Sequence, residues 1–173
     1  MLEVVRPGAL TTVQDHGRVG WAHLGVPRSG ALDRPALDLA NALVGNAPGA
    51  AGLEITLTGC TLRFTRSVTI AVTGAAAVVT IEGRAAAANE PVAVRATETV
   101  SIGAARHGVR TYLGIRGGIE VTPVLGSRST DTLSGLGPPS LRVGDRLRIG
   151  SPDATVLRSV IDPRDGERPP DLD

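Results

Sequence analysis

The sequence predicts a mainly β domain carrying one short helix near its N-terminus. Three observations carry that prediction. Beyond Ala51 apolar and polar residues alternate with period two in short β-branched runs, as half-buried strands require. The runs are separated by Gly, Pro, Asn or small polar turns about every eight to twelve residues without intervening helices, the rhythm of a barrel or sandwich rather than of a βαβ sheet. Helical spacing of apolar residues is clear in one place only, between Asp33 and Asn46.

Taken in order, Leu2–Arg6 (LEVVR) reads as a strand, Pro7-Gly8 punctuates it, and LTTVQ is a second extended run ending at Gln14. Asp15 opens an irregular stretch rich in Gly and Arg, where its carboxylate either caps a turn or orients Arg18 across the loop. Such a run suits binding, because Gly lets backbone N–H groups approach a ligand while guanidinium forks grip carboxylate or phosphate. Asp33 is a good N-cap and Pro35 fits the first turn. Apolar residues at 36, 37, 40, 43 and 44 then recur at helical spacing until Gly45-Asn46 stops the helix. Asn41, beside the apolar stripe, is expected to bond a neighbouring loop carbonyl rather than a substrate.

The strand series follows: LEITL, TLRF, VTIAVTG, AVVTIEG, PVAVRA, ETVSIG, VRTYLGI and LRVGDRLRIG. Aromatics are 2% of the chain, so Val, Leu, Ile and Ala must fill the core and no stacking platform for bases is present. Arg116-Gly117-Gly118 and the loop Leu125 to Gly137 form a second polar, glycine-bearing cluster. Within it Ser127, Arg128, Ser129 and Thr130 offer hydroxyls and a guanidinium suited to a carboxylate, phosphate or amide ligand, or to a solvated turn. Asp131 and Asp145 read as turn residues, the latter in a tight hairpin. Residues 1–150 are read as one domain, and 151–173, broken by Pro and Asp, as a strand remnant and disordered tail.

Composition removes several function classes. The net charge is +1 with basic residues scattered singly, so no nucleic-acid footprint is visible. All 18 basic residues are Arg, which excludes Schiff-base chemistry, a lysine base and a Walker-type phosphate lysine within this chain. The single Cys60, in an alternating apolar run, reads as a buried structural thiol, and His16, His23 and His107 lack metal-site spacing. With no signal-like or long apolar run at the start, a cytoplasmic protein with no membrane partner is expected.

The segments PGALTTVQDHGRVGWAHLGVPRSGALD, ANALVGN, LEITLTGCTLRF, TYLGIRGGI and LGSRSTDTLSGLG, in that order, resemble the family that takes in biotin-dependent carboxyltransferases, the second subunit of allophanate hydrolase and the C subunit of 5-oxoprolinase, and that includes the KipA antagonist. The resemblance implies a cyclophilin-like β-barrel. It implies work in a complex with a KipI-like subunit and, for 5-oxoprolinases, a LamB/YcsF-type subunit. The implied activities are ATP-driven opening of 5-oxoproline to glutamate, carboxyl transfer to urea or a related amide from a biotin carrier, or non-enzymatic regulation of a KipI-like partner. Family members run to about twice this length, which implies that this chain alone is inactive. On the matching positions, Arg18 and Arg128 are expected to hold anionic oxygens of substrate or nucleotide. Gln14, Ser127, Ser129 and Thr130 are expected to bond amide or carboxylate groups of a small-molecule substrate. Gly17 and Gly117 would allow close backbone approach, and Asp15 is the candidate general base.

Overall fold

The computed structural model describes residues 1–152, so the remnant and tail expected over 151–173 fall, after Pro152, outside the described residues. In chain order the elements are β1 (Leu2–Arg6), β2 (Leu10–Gln14), α1 (Arg34–Leu43), β3 (Gly52–Thr56), β4 (Cys60–Phe64), β5 (Val68–Ala76) and β6 (Val79–Ile81). They continue with β7 (Arg84–Ala86), β8 (Val92–Val94), β9 (Thr99–Ile102), β10 (His107–Ile115), β11 (Ile119–Glu120) and β12 (Arg146–Ile149), and a 3-10 turn lies at Ala22–Leu24. Two antiparallel sheets result, ordered β11-β12-β1-β4-β9-β6-β7 and β2-β3-β10-β5-β8. The mainly β class and the helix are as the sequence predicts, while the sheets stay hydrogen-bonded separately and do not close into a barrel.

Alternation explains the core. Leu2, Val4, Leu62, Phe64, Val100 and Ile102 from one sheet meet Leu53, Ile55, Ile70, Val72, Leu113 and Ile115 from the other, all buried in one cluster. Each such side chain contributes roughly 1.5–3 kcal/mol by leaving water. Because side chains alternate across a strand, the residues between them face the other way. On that outer face of the five-stranded sheet lies α1, whose Ala36, Leu37 and Ala40 pack with Tyr112 and Ala31 in a second small core.

The helix is closed at both ends as expected. Asp33 accepts from the Ala36 N–H at 3.1 Å. Beyond the last turn, Asn46 donates to the Ile115 carbonyl at 2.8 Å and to Asn41 Oδ1 at 3.1 Å, while Asn41 donates to the Ala50 carbonyl at 2.8 Å. Asn41 therefore does bond a loop carbonyl. Gly114 lets the helix sit directly on the sheet, since a Cβ there would lie 2.6 Å from the Ala40 carbonyl oxygen.

Two short strands, β7 and β11, were not legible as strands in the sequence. The tight turn at Asp145 exists, with Asp145 accepting from the Arg142 N–H at 2.7 Å, but it leads into β12, which pairs with β1 and β11 instead of folding back on its own approach. Cys60 is fully buried, and burial pushes its thiol up to about 12. Among the described residues no helix is long and apolar enough to cross a membrane, and no three His, Cys, Asp or Glu side chains gather as metal ligands.

Candidate functional site

The site is built where β2 ends. Asp15 leaves the sheet, and its carbonyl accepts from the Ala31 N–H at 2.9 Å, so the loop between them is pinned shut at its base. Inside it the Arg18 N–H donates to the Arg28 carbonyl at 2.6 Å. Gly17 sits at φ 82°, and a Cβ there would lie 2.5 Å from both the Arg28 and Ser29 carbonyl oxygens. Its close approach is thus to the chain's own backbone, and any other residue would force the loop open.

The Asp15 carboxylate joins this loop to the second cluster. It accepts from the Gly17 N–H at 2.7 Å, Ser127 Oγ at 2.7 Å, Ser129 Oγ at 2.5 Å and the Arg128 N–H at 2.6 Å. Burial by itself raises the pKa of this group, but the bonds from Ser129, Arg128, Ser127 and Gly17 outweigh it and hold the carboxyl below its usual range. The turn-capping alternative is the one realised, with the Gly17 N–H, and no ion pair links Asp15 to Arg18. A carboxylate with four donors and a depressed pKa is a fixed anionic hub. That is the reverse of what a general base working near neutral pH needs, so the geometry does not support Asp15 in that role.

The hydroxyls of Ser127 and Ser129 are committed to Asp15 and to local backbone, with Ser127 Oγ also accepting from the Ser129 N–H at 3.0 Å. Gln14 donates to Thr12 Oγ1 and to the Thr130 carbonyl, each at 3.1 Å. Arg18 is the largest fully buried side chain among the described residues, 2% exposed, and its Nη2 donates to the Ser129 carbonyl at 2.6 Å. Among the described residues its Nε and Nη1 have no partner, and neither have the nearby Gln14 Oε1 and Thr130 Oγ1. Ser29, at φ 54°, places its buried hydroxyl beside Asp131 without a well-formed hydrogen bond. Asp131 is a turn residue as expected, accepting from the Leu133 N–H at 3.0 Å and from Ser134 Oγ.

The predicted residues therefore divide. Gln14, Asp15, Gly17, Arg18, Ser127, Ser129 and Thr130 come together in one buried polar cluster. Arg128 contributes only its N–H there: its exposed side chain turns away, Nε donating to the Val121 carbonyl at 3.0 Å. It lines a groove of about 240 Å³ with Gly117, Gly118, Glu120 and Gly150. Arg18 and Arg128 do not grip one ligand from the same side. Gly117 donates its N–H to Asn46 Oδ1 at 2.8 Å and packs so tightly on Gly150 that a Cβ would lie 2.2 Å from its carbonyl oxygen.

A nucleotide phosphate cradle needs unbonded backbone N–H groups pointing at the ligand. Here the N–H groups of Gly17, Gly117, Gly118 and Arg128 all serve acceptors of this chain. These four N–H groups are therefore not free to cradle ATP phosphates. Nor can the chain carry biotin by the usual amide bond to lysine, since it has none.

Sequence reasoning missed Glu54 and Tyr112, which hold the far end of the first loop. Glu54, 8% exposed, accepts from the Leu32 N–H at 2.9 Å, the Tyr112 hydroxyl at 2.7 Å and Arg110 Nε at 3.0 Å. Tyr112 accepts in turn from the Asp33 N–H at 2.8 Å, and burial pushes its pKa well up. The signal for them was a carboxylate inside an alternating strand and the only tyrosine in the chain. His16, paired with Asp38 at 2.7 Å, fixes the outer rim.

Comparison with known proteins matches this geometry to a family. The profile of the carboxyltransferase domain, subdomains A and B, matches residues 24–172. Urea amidolyase of Saccharomyces cerevisiae is 44% identical over 154 residues, 87% of this chain and 8% of that protein. The C subunit of 5-oxoprolinase from Escherichia coli is 42% identical over 153 residues, 87% of this chain and 49% of that protein. Among solved structures, the K. lactis urea amidolyase superposes with a TM-score of 0.81 at 41% identity, covering 90% of this chain and 10% of that one. This chain thus spans about half of the bacterial relative and a small part of the yeast enzymes. With most of its length matched by the profile and by relatives above 40% identity, the chain belongs to the carboxyltransferase domain family of subdomains A and B.

Proposed function

We propose that this chain is part of an ATP-dependent 5-oxoprolinase complex that opens 5-oxoproline to glutamate, working with KipI-like and LamB/YcsF-type subunits in the cytoplasm. The observation that carries this reading is Arg18. A buried guanidinium with unused donors and no carboxylate in ion-pair range among the described residues costs several kcal/mol unless an anion joins it. The carboxylate of 5-oxoproline would supply that anion, and Gln14 Oε1 and the Thr130 hydroxyl, buried without partners among the described residues, would serve its ring amide once the loops admit it. ATP would supply the driving force for hydrolysing a stable lactam. Since the N–H groups of Gly17, Gly117, Gly118 and Arg128 serve acceptors of this chain, the nucleotide is assigned to the complex and not to these positions. Kinship to a bacterial 5-oxoprolinase component of about twice this length supports the same division.

A second reading is carboxyl transfer to urea with a biotin carrier, supported equally by the likeness to urea amidolyases. The two differ in charge at Arg18, because urea is neutral. In the assembled complex, 5-oxoproline-dependent ATP hydrolysis is expected and should be absent from this chain alone. Titrating the isolated chain with 5-oxoproline and with urea separates the readings. Arg18→Met should abolish 5-oxoproline binding while costing no more than about 1 kcal/mol of stability, because an uncompensated buried charge goes with it. Binding of urea but not of 5-oxoproline, or a collapse of the fold in Arg18→Met, would overturn this assignment.

A further inference from the structure

The five-stranded sheet ends in a groove of about 320 Å³ between the start of β5, the end of β8 and the turn after β10. Arg66, Arg95 and Arg116 line it with the hydroxyl residues Ser67 and Thr69, and among the described residues no Asp or Glu does. We propose that this groove, separate from the buried Arg18 cluster, binds a phosphoryl anion of the diphosphate class.

The segregation of charge is what requires explanation. The chain holds 18 basic and 17 acidic residues, so neutralising partners are plentiful, yet the ion pairs among the described residues use Arg84, Arg110 and Arg146 and none of these three. Glu98, the acid nearest Arg95 in sequence, pairs with Arg84 and not with the Arg95 guanidinium. It accepts from Arg84 Nη2 at 3.1 Å and, with its other oxygen, from the Arg95 N–H at 2.7 Å. Three arginines line one groove, and a multiply charged anion bound among them would offset the mutual repulsion of their like charges.

The wall is also held in place. Arg66 Nη2 donates to the Ile149 and Gly150 carbonyls at 3.1 and 3.0 Å, which fixes the head group at the groove instead of leaving it to sweep through solvent. The Arg116 N–H donates to the Thr69 carbonyl at 2.9 Å, tying the second arginine to the strand that carries the hydroxyl. Ser67 Oγ accepts from the Ala96 N–H at 3.2 Å, so its own proton is left to donate outward. Planar guanidinium forks with flanking hydroxyl donors match tetrahedral phosphoryl oxygens bidentately. A diphosphate spans more of the groove than a single phosphate and meets more than one arginine.

The test needs no turnover and is independent of the 5-oxoprolinase reading. Calorimetric titration of the purified chain with inorganic diphosphate, at about 50 and 200 mM salt, should give one site that weakens as salt screens it. Arg95→Gln and Arg116→Gln should each weaken binding by about tenfold or more with an unchanged melting temperature, as loss of a charge-assisted bond implies. Arg142→Gln, an exposed arginine outside the groove, should leave it unaltered. Competition by ADP but not AMP would show that the site accepts diphosphate borne on a nucleotide, and competition by neither would restrict it to the free anion. Absence of a saturable site, equal weakening by Arg142→Gln, or tighter binding of hexaglutamate than of diphosphate at the same groove would overturn the proposal. The last result would assign the groove to an acidic protein partner.

Discussion

Replacing Asp15 with Asn tests whether the two glycine-bearing loops are one structure. The substitution keeps size and shape but turns one oxygen into an NH₂ group. Three of the four donors, Gly17 N–H and the Ser127 and Ser129 hydroxyls, converge on Oδ1, while the Arg128 N–H uses Oδ2 alone at 2.6 Å. Asn can keep its carbonyl toward the first three, which sets its NH₂ against the Arg128 N–H. One charge-assisted bond is lost, about 1.5–3 kcal/mol, and the other three become bonds to a neutral acceptor. A total near 3 kcal/mol should lower the melting temperature by about 6–12 °C in a chain of this size. The loss must also depend on pH in a defined direction. The native carboxyl titrates below its unfolded value of 3.8, so its contribution is complete above that value and disappears as pH falls through the native pKa. The wild-type advantage over Asp15→Asn, read by calorimetry, should be flat above about pH 5 and shrink below about pH 4. A difference within about 0.5 kcal/mol, or one that grows on acidification, would refute the hub.

Two further outcomes follow from packing. Gly114→Ala places a Cβ 2.6 Å from the Ala40 carbonyl oxygen and 2.7 Å from its carbon, so α1 must lift off the sheet. Overpacking of this kind costs about 1–3 kcal/mol and should lower the urea midpoint without changing the slope. Cys60, fully buried with its thiol pushed up to about 12, should resist thiol reagents at pH 8 in the native protein and react stoichiometrically once denaturant is added. Labelling of native protein at the denatured rate would contradict that burial.

Much of the fold was legible because it is written locally. The bounds of β1 and β2 match the runs LEVVR and LTTVQ, and the helix obeys its own cap, proline and stop signal. β11, Ile119–Glu120, is too short to show alternation, and β7, though as long as β6 and β8, reads Arg-Ala-Ala and carries no β-branched residue to mark it. The loops of the site could be found from their Gly, Arg and hydroxyl content, but not what those groups bind. A serine hydroxyl looks the same in sequence whether it serves a ligand or a carboxylate 112 positions away, as Ser127 serves Asp15. Arg128 shows the same limit, since backbone direction alone decides that its N–H enters the hub while its side chain leaves it. Glu54 escaped notice because its partners, Leu32, Arg110 and Tyr112, are brought to it by sheet pairing and by the returning loop.

The hub and the buried arginine meet at one residue. Ser129 gives its hydroxyl to Asp15 and its carbonyl to Arg18, so the two opposite charges are separated by the span of a single residue and are held outside ion-pair range. At that separation in a poorly screened interior the carboxylate lowers the cost of the guanidinium without neutralising its donors. A direct Asp15–Arg18 pair would have consumed both groups and left nothing to recognise a substrate. Interposing Ser129 keeps the loops locked and leaves Arg18 Nε and Nη1 unspent. Gly137 shields this arrangement: a Cβ there would lie 2.1 Å from the Ser129 carbonyl oxygen and 2.6 Å from Arg18 Nη2. The second loop can therefore cover Arg18 only with glycine at that position. The most buried charge among the described residues is held by neighbours that satisfy its geometry but not its valence.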